Sequence, residues 1–227
     1  MVKYWIARNA MWSVFDFMNG KKIAVVVLLL FASCVNRQED TLQNFLLGNA
    51  NMKTGILVIG DSLTAYSEAF GLAHLLGPSF TVNYAAVPGY DFTDWTYRID
   101  QAFIGTPPNL VLVPLGTNDG YRFTGQIFLN KLYDFHSEFR KRSNAVVVYF
   151  QMPRTKDPGL SAAILQNNAA LVSGRPGDSS LLDLDTPFQN ATNSALLYQG
   201  LDPIHPVQAG YDLAGSVIAA AIFKNSF

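Results

Sequence analysis

From Gly55 onward the chain alternates short apolar runs with longer stretches in which apolar residues recur every three or four positions. Ile56-Leu57-Val58-Ile59, closed by Gly60, has the continuous, β-branched character of a buried parallel strand. Phe80–Tyr84, Leu110–Pro114, Ala145–Phe150 and Leu181–Leu184 repeat that character, so five strands are predicted. Helices are predicted between and after them, over Ala65–Leu76, Asp91–Phe103, Gly125–Arg142, Gly159–Leu171 and Ala209–Phe223. In the third of these, Ile127, Leu132, Phe135 and Phe139 recur at helical spacing and predict its core-facing stripe. Strands alternating with helices imply parallel pairing through right-handed crossovers, which makes the chain an α/β protein built as a three-layer α/β/α sandwich. In such sheets ligands sit outside the carboxyl ends of the strands, where the strand order reverses. The chemistry is therefore expected in the residues that follow each strand.

The first 54 residues follow a different pattern. Lys21-Lys22 precede the apolar run Ile23–Ala32, then come Ser33-Cys34 and the polar stretch Asn36-Arg37-Gln38-Glu39-Asp40. A basic segment, a short apolar run and small residues before a cut describe a secretory signal over residues 1–33. The apolar run is half of the roughly 20 residues that a membrane-spanning helix needs. Phe31-Ala32-Ser33-Cys34 resembles the lipobox of bacterial lipoproteins, with Phe31 where a smaller aliphatic residue is usual. That resemblance implies acylation of Cys34 and a membrane-anchored lipoprotein of the cell envelope. Residues 34–54 then read as a tether, interrupted by Phe45-Leu46-Leu47, and residues 55–227 as the folded domain.

Composition narrows the classes further. The chain has 227 residues, 49% of them hydrophobic, and a net charge of −1 from 16 basic and 17 acidic side chains. Removing residues 1–33 takes away Lys3, Arg8, Lys21, Lys22 and Asp16, which leaves 194 residues and a charge of −4. That length suits one domain, and that charge offers no basic field for nucleic acid. The basic cluster Arg140-Lys141-Arg142 ends a predicted helix, where cations complement the helix dipole. With Cys34 as its single cysteine, the chain makes no internal disulfide and no zinc site built on two thiolates.

Strand one runs into Gly60-Asp61-Ser62-Leu63, strand two into Val87-Pro88-Gly89-Tyr90, and strand three into Leu115-Gly116-Thr117-Asn118-Asp119. Leu201-Asp202-Pro203-Ile204-His205-Pro206 precedes the last helix. A serine hydroxyl becomes a nucleophile when an imidazole takes its proton, and histidine can accept and return one near neutral pH. A carboxylate three residues earlier can hold the imidazole tautomer, and amides at Ser62, Gly89 and Asn118 can stabilise an oxyanion. Singly, each block has a local reading: Asp61-Ser62 as a helix cap, Gly116–Gly120 as a loop, His205 as a residue that leads into a helix. Together, in this order and on one rim, they are the ingredients of acyl transfer.

The set resembles the SGNH hydrolase family of GDSL-type esterases and lipases, from about Ile56 to Ile222. The family's blocks stand here as Gly60-Asp61-Ser62-Leu63, Gly89, Gly116-Thr117-Asn118-Asp119 and Asp202-Pro203-Ile204-His205. The resemblance implies a five-stranded parallel sheet of flavodoxin-like topology, a Ser62–His205–Asp202 triad, and an oxyanion hole from the Ser62 and Gly89 N–H groups and Asn118. It calls for no metal or organic cofactor. The expected reaction is hydrolysis of an ester through an acyl-enzyme. The family accepts acetylated sugars, lysophospholipids, thioesters and simple lipids, so the expected partner is a small-molecule, glycan or lipid ester. No long insertion is available to form a lid, which favours a small or short acyl group. Tyr90, Phe92, Trp95, Tyr121 and Phe123 follow the blocks closely, either as a cleft or as packing. A non-catalytic envelope binding protein, or an acyltransferase or lysophospholipase with the same triad, is the alternative. His74 and His136 lack such company and read as structural or surface residues.

Overall fold

The computed structural model describes residues 53–198 and 201–225. The signal, Cys34 and nearly all of the tether lie outside the described residues. Five strands form one sheet: β1 (Thr54–Gly60), β2 (Phe80–Ala86), β3 (Leu110–Val113), β4 (Val146–Gln151) and β5 (Ser180–Asp183). They run in the order β2-β1-β3-β4-β5 and every pair is parallel. This is the order expected of a doubly wound sheet, with the reversal between β1 and β3.

The strands are apolar on both faces because both faces are covered. Ile56 and Val58 of β1 join Leu110, Leu112, Val148 and Phe150 in one core cluster, while Leu57 and Ile59 join Val111, Val113, Val147 and Tyr149 in the other. Successive side chains thus go to opposite layers, as the period of a strand demands. Helices α3 (Phe92–Arg98) and α4 (Gly125–Arg140) cover the second cluster. The first is covered by α1 (Ser62–Tyr66), α2 (Leu72–Leu76), α6 (Asp185–Asn190) and α7 (Gln208–Phe223). Helix α5 (Pro158–Gly174) contributes Leu160 and Ile164 to the first cluster and Leu171 to the second. The caps that start α3 and α5 are visible in the sequence. Asp91 and Asp94 make a capping box, and Asp157 accepts from the Leu160 N–H at 2.7 Å with Pro158 behind it.

The structure corrects the sequence expectation at three places. The helix expected over Ala65–Leu76 begins three residues earlier and breaks after Tyr66. Glu68, Ala69 and Phe70 take left-handed φ values of 48°, 56° and 59°, followed by Gly71 at 66°, before the chain resumes as α2. A left-handed conformation costs an L-residue about 1–2 kcal/mol, so this turn is strained and is held by its surroundings. Ser67 Oγ donates to the Leu63 carbonyl at 2.6 Å and accepts the Phe70 N–H at 2.9 Å, and Ala69 and Phe70 are buried. In α4 the buried stripe is Phe128, Leu132, Phe135 and Phe139, and Ile127 faces solvent. The two registers differ by one residue at their start, and Phe128 keeps the 3.6-residue phase with Leu132. Helix α6 was not expected, since it is only six residues long and contains Pro187. Of the two readings left open for the aromatic residues, Phe92 and Trp95 take the packing one.

The basic cluster is ion-paired. Arg140 bonds Asp178 at 2.7 Å, Lys141 bonds Glu138 at 2.5 Å, and Arg142 bonds Glu138 and Asp100. His74 is exposed, whereas His136 is buried between the Tyr149 hydroxyl and Asp178, each 2.9 Å away. His136 is thus a satisfied structural histidine.

Candidate active site

Gly60, the last residue of β1, and Asp61 make the turn into α1. A Cβ on Gly60 would lie 1.9 Å from Thr64 Oγ1, so the chain turns this tightly only with glycine there. Asp61 caps α1 by accepting the Leu63 N–H at 2.9 Å, which leaves Ser62 as the first helical residue. First-turn amides have no partner inside their helix, so the Ser62 N–H is open to an external acceptor. The chain after β2 forms a type II turn. The Tyr90 N–H donates to the Val87 carbonyl at 3.1 Å, Pro88 takes the second position, and Gly89 takes the third with φ 87°. A residue with a Cβ would be strained at that third position.

The Asp202–His205 segment is brought to Ser62 by backbone bonds on both sides. The Lys156 N–H donates to the Pro203 carbonyl and the Val207 N–H to the Leu197 carbonyl, both at 2.8 Å. The carboxylate of Asp202 organises the loop itself. Its Oδ1 accepts the Ile204 N–H at 2.8 Å and the His205 N–H at 3.0 Å, and its Oδ2 lies 2.8 Å from His205 Nδ1. His205 Nε2 in turn lies 2.9 Å from Ser62 Oγ, across 143 positions of sequence. The backbone N–H of His205, followed by that of Ile204 and the imidazole, holds the Asp202 carboxyl down to about 2. An ionised carboxylate only accepts, so the proton sits on Nδ1 and the Nε2 lone pair faces the serine hydroxyl, which donates. The result is a continuous chain from carboxylate through imidazole to hydroxyl.

Asn118 sits beside this chain. Its Nδ2 donates to the Tyr90 carbonyl at 3.0 Å and to Asp61 Oδ2 at 3.3 Å, which ties the loops after β1, β2 and β3 to one another. Asp61 is fully buried, and burial pushes its carboxyl up to about 7 against the opposing pull of the Leu63 N–H and of His205. Burial also raises Asp119, with the Asp91 and Asp61 carboxylates adding to it. The Trp95 indole donates to the Gly60 carbonyl at 3.0 Å and so braces the end of β1.

Of the residues singled out in the sequence, the structure brings Ser62, Asp202, His205 and Asn118 to one rim, with Gly89 one residue from the carbonyl that Asn118 holds. Of the aromatic candidates, Tyr121 is exposed, Tyr90 and Phe123 are half-buried, and Phe92 and Trp95 lie inside the core. Sequence reasoning missed Tyr66. Its ring lies 5.2 Å from the His205 ring, centroid to centroid, at 54°. Its signal was present, since it follows Ser62 by four residues on a helix and so shares its face. Among the described residues, no group of three or more His, Cys, Asp or Glu side chains is arranged to hold a metal ion.

A parallel sheet covered on both faces, carrying this set of groups at its switch point, defines an α/β/α hydrolase. The family model of the GDSL-like lipase/acylhydrolase family matches residues 58–213, and the chain belongs to that family. Solved structures share the fold. A lipase/acylhydrolase from Enterococcus faecalis is 18% identical with a TM-score of 0.59, over 76% of this chain and 96% of its own. A psychrotrophic esterase from Pseudoalteromonas sp., solved in a form inhibited by monoethylphosphonate, is 21% identical with a TM-score of 0.57, over 76% and 98%. A carbohydrate esterase of family 3 from Talaromyces cellulolyticus is 17% identical with a TM-score of 0.55, over 76% and 97%. No curated protein sequence gives a match.

Proposed function

We propose that the chain is a carboxylic ester hydrolase in which Ser62 attacks the carbonyl, His205 takes and returns its proton, and Asp202 holds the imidazole. The observation that carries this reading is the bridge made by His205, 2.9 Å to Ser62 Oγ on one side and 2.8 Å to Asp202 Oδ2 on the other. Attack transfers the Ser62 proton to Nε2 as the new C–O bond forms, and the charge that develops on the carbonyl oxygen is taken up by N–H donors. The Ser62 and Gly89 amides and the Asn118 side chain are the donors we assign, Asn118 by giving up the longer of its two bonds, 3.3 Å to Asp61 Oδ2, and each is worth roughly 3–4 kcal/mol of barrier. The imidazolium then protonates the departing alcohol, leaving an acyl-serine. Water repeats the sequence and releases the acid. Burial raises the Asp61 carboxyl to about 7, so its neutral form is accessible beside Asn118.

A small or short acyl group is the substrate we favour, in keeping with the chain's lack of a long insertion between its elements. The inhibition of the Pseudoalteromonas esterase by a phosphonate suggests the direct test. A fluorophosphonate probe is expected to label the folded protein once, on the tryptic peptide that contains Ser62, and not after heat unfolding. An unlabelled folded protein would favour the binding-protein alternative.

We also propose that the protein is exported and held at a membrane through acylated Cys34, a reading supported by the sequence around that residue. Cys34→Ala in the producing cell is expected to move the protein from the membrane to the soluble fraction. Equal membrane recovery of the two forms would refute the anchor.

A further inference from the structure

We infer that Tyr66 contacts the alcohol portion of the ester and selects for ring-shaped alcohols of the sugar type, an inference that rests on Ser62 being the nucleophile and His205 its base.

Which side of the substrate Tyr66 meets follows from the chemistry of the imidazole. His205 Nε2 must reach the departing oxygen to protonate it, so the alcohol lies against the imidazole while the carbonyl oxygen turns toward the N–H donors. A side chain packed against the imidazole therefore lies near the alcohol, and Tyr66 is such a side chain. Its ring lies 5.2 Å from the His205 ring, and 61% of its surface is exposed. It belongs to the five-residue helix that Ser62 begins, one turn on, so serine and tyrosine present the same face.

The strained turn that follows gives the placement a cause. Three consecutive left-handed non-glycine residues, Glu68, Ala69 and Phe70, stop α1 directly after Tyr66 and Ser67. Tyr66 is thereby the last residue of α1, and its side chain leans back toward the turn that holds Ser62. Strain of this kind gathers at functional sites.

The surroundings point to the chemical class. Tyr66 offers a flat apolar face with a hydroxyl at its tip, and Glu68, two residues further on, is exposed. Axial C–H groups of a pyranose pack on such a face, and its hydroxyls donate to carboxylates. A long acyl chain needs an enclosed apolar groove instead.

The test uses the full chain with Tyr66→Ala and Tyr66→Phe on three acetates that share one acyl group: ethyl acetate, p-nitrophenyl acetate and the 6-O-acetate of a methyl glucopyranoside. Tyr66→Ala is expected to lose about tenfold in kcat/KM on the two ring alcohols and less than twofold on ethyl acetate. Tyr66→Phe should keep most of the wild-type preference. Breakdown of the common acetyl-enzyme, from which the alcohol has left, should proceed at the wild-type rate. Equal losses on all three acetates, or no loss on any, would overturn the role of Tyr66 while Ser62→Ala stayed inactive. Failure of the nucleophile reading would show separately, as retained turnover in Ser62→Ala, and would remove the ground for this inference as well.

Discussion

Ser62→Ala is expected to lower kcat on a short p-nitrophenyl ester by at least about four orders of magnitude and to leave folding intact. The loss is large because no other described group can form the acyl intermediate in this position. Ser62 Oγ is the hydroxyl that faces His205 Nε2, at 2.9 Å. Removing it strands the imidazole as a base that activates only water. The remaining activity is what the N–H donors and substrate binding supply without a nucleophile. Folding should be spared for reasons local to α1. The cap is the Asp61 carboxylate, which accepts the Leu63 N–H and is untouched. Alanine also has a higher helix propensity than serine, and the hydroxyl bonds only His205 among the described residues. Steady-state kinetics together with a thermal melt checks both halves of the expectation. Turnover within tenfold of wild type at an unchanged melting temperature would assign the reaction to another residue.

The strands and the order of the site blocks were legible because each rests on short-range pattern. A doubly covered sheet requires strands apolar on both faces, and Ile56–Ile59, Leu110–Val113 and Val147–Phe150 show that directly. The site blocks lie at strand ends, where glycine and proline punctuate the chain, so their placement followed from the strands. What escaped detection was decided by tertiary contacts. Nothing within Ala65–Phe70 breaks a helix by propensity. The left-handed turn there is stabilised by the burial of Ala69 and Phe70 and by the Ser67 hydroxyl. Helix α7 also packs so closely on the turn that a Cβ at Gly215 would lie 2.2 Å from the Phe70 carbonyl oxygen. The phase of α4 was ambiguous because Ile127 and Phe128 are adjacent and both apolar. Phe92 and Trp95 fitted a cleft as well as packing because they follow a site block. Their helix instead turns both toward α4 and the sheet, where Phe92 meets Phe128, Phe135 and Tyr149.

Asp202→Asn is expected to lower kcat by about four orders of magnitude with little change in stability, which would separate the role of charge from that of shape. An asparagine is nearly isosteric with aspartate, and its carbonyl oxygen can still accept the Ile204 and His205 N–H groups that shape the loop. Its amide nitrogen would then face His205 Nδ1, and an N–H there can only donate. The imidazole would move its proton to Nε2, where it points at Ser62 Oγ, so the base would be occupied before the reaction begins. The wild-type carboxylate avoids this by staying ionised at neutral and mildly acidic pH, since the His205 N–H and its neighbours hold the carboxyl down to about 2. A fall in activity between pH 7 and pH 5 is therefore expected to come from a group other than Asp202. The side chain is half-exposed, so solvent screens its interaction with the imidazolium and the lost charge should shift the melting temperature only slightly. Two measurements check the reasoning together. The rate of fluorophosphonate labelling should fall in step with kcat, because both require a deprotonated Nε2. If Asp202→Asn kept labelling and turnover within tenfold of wild type, the imidazole tautomer would have to be set by something other than this carboxylate.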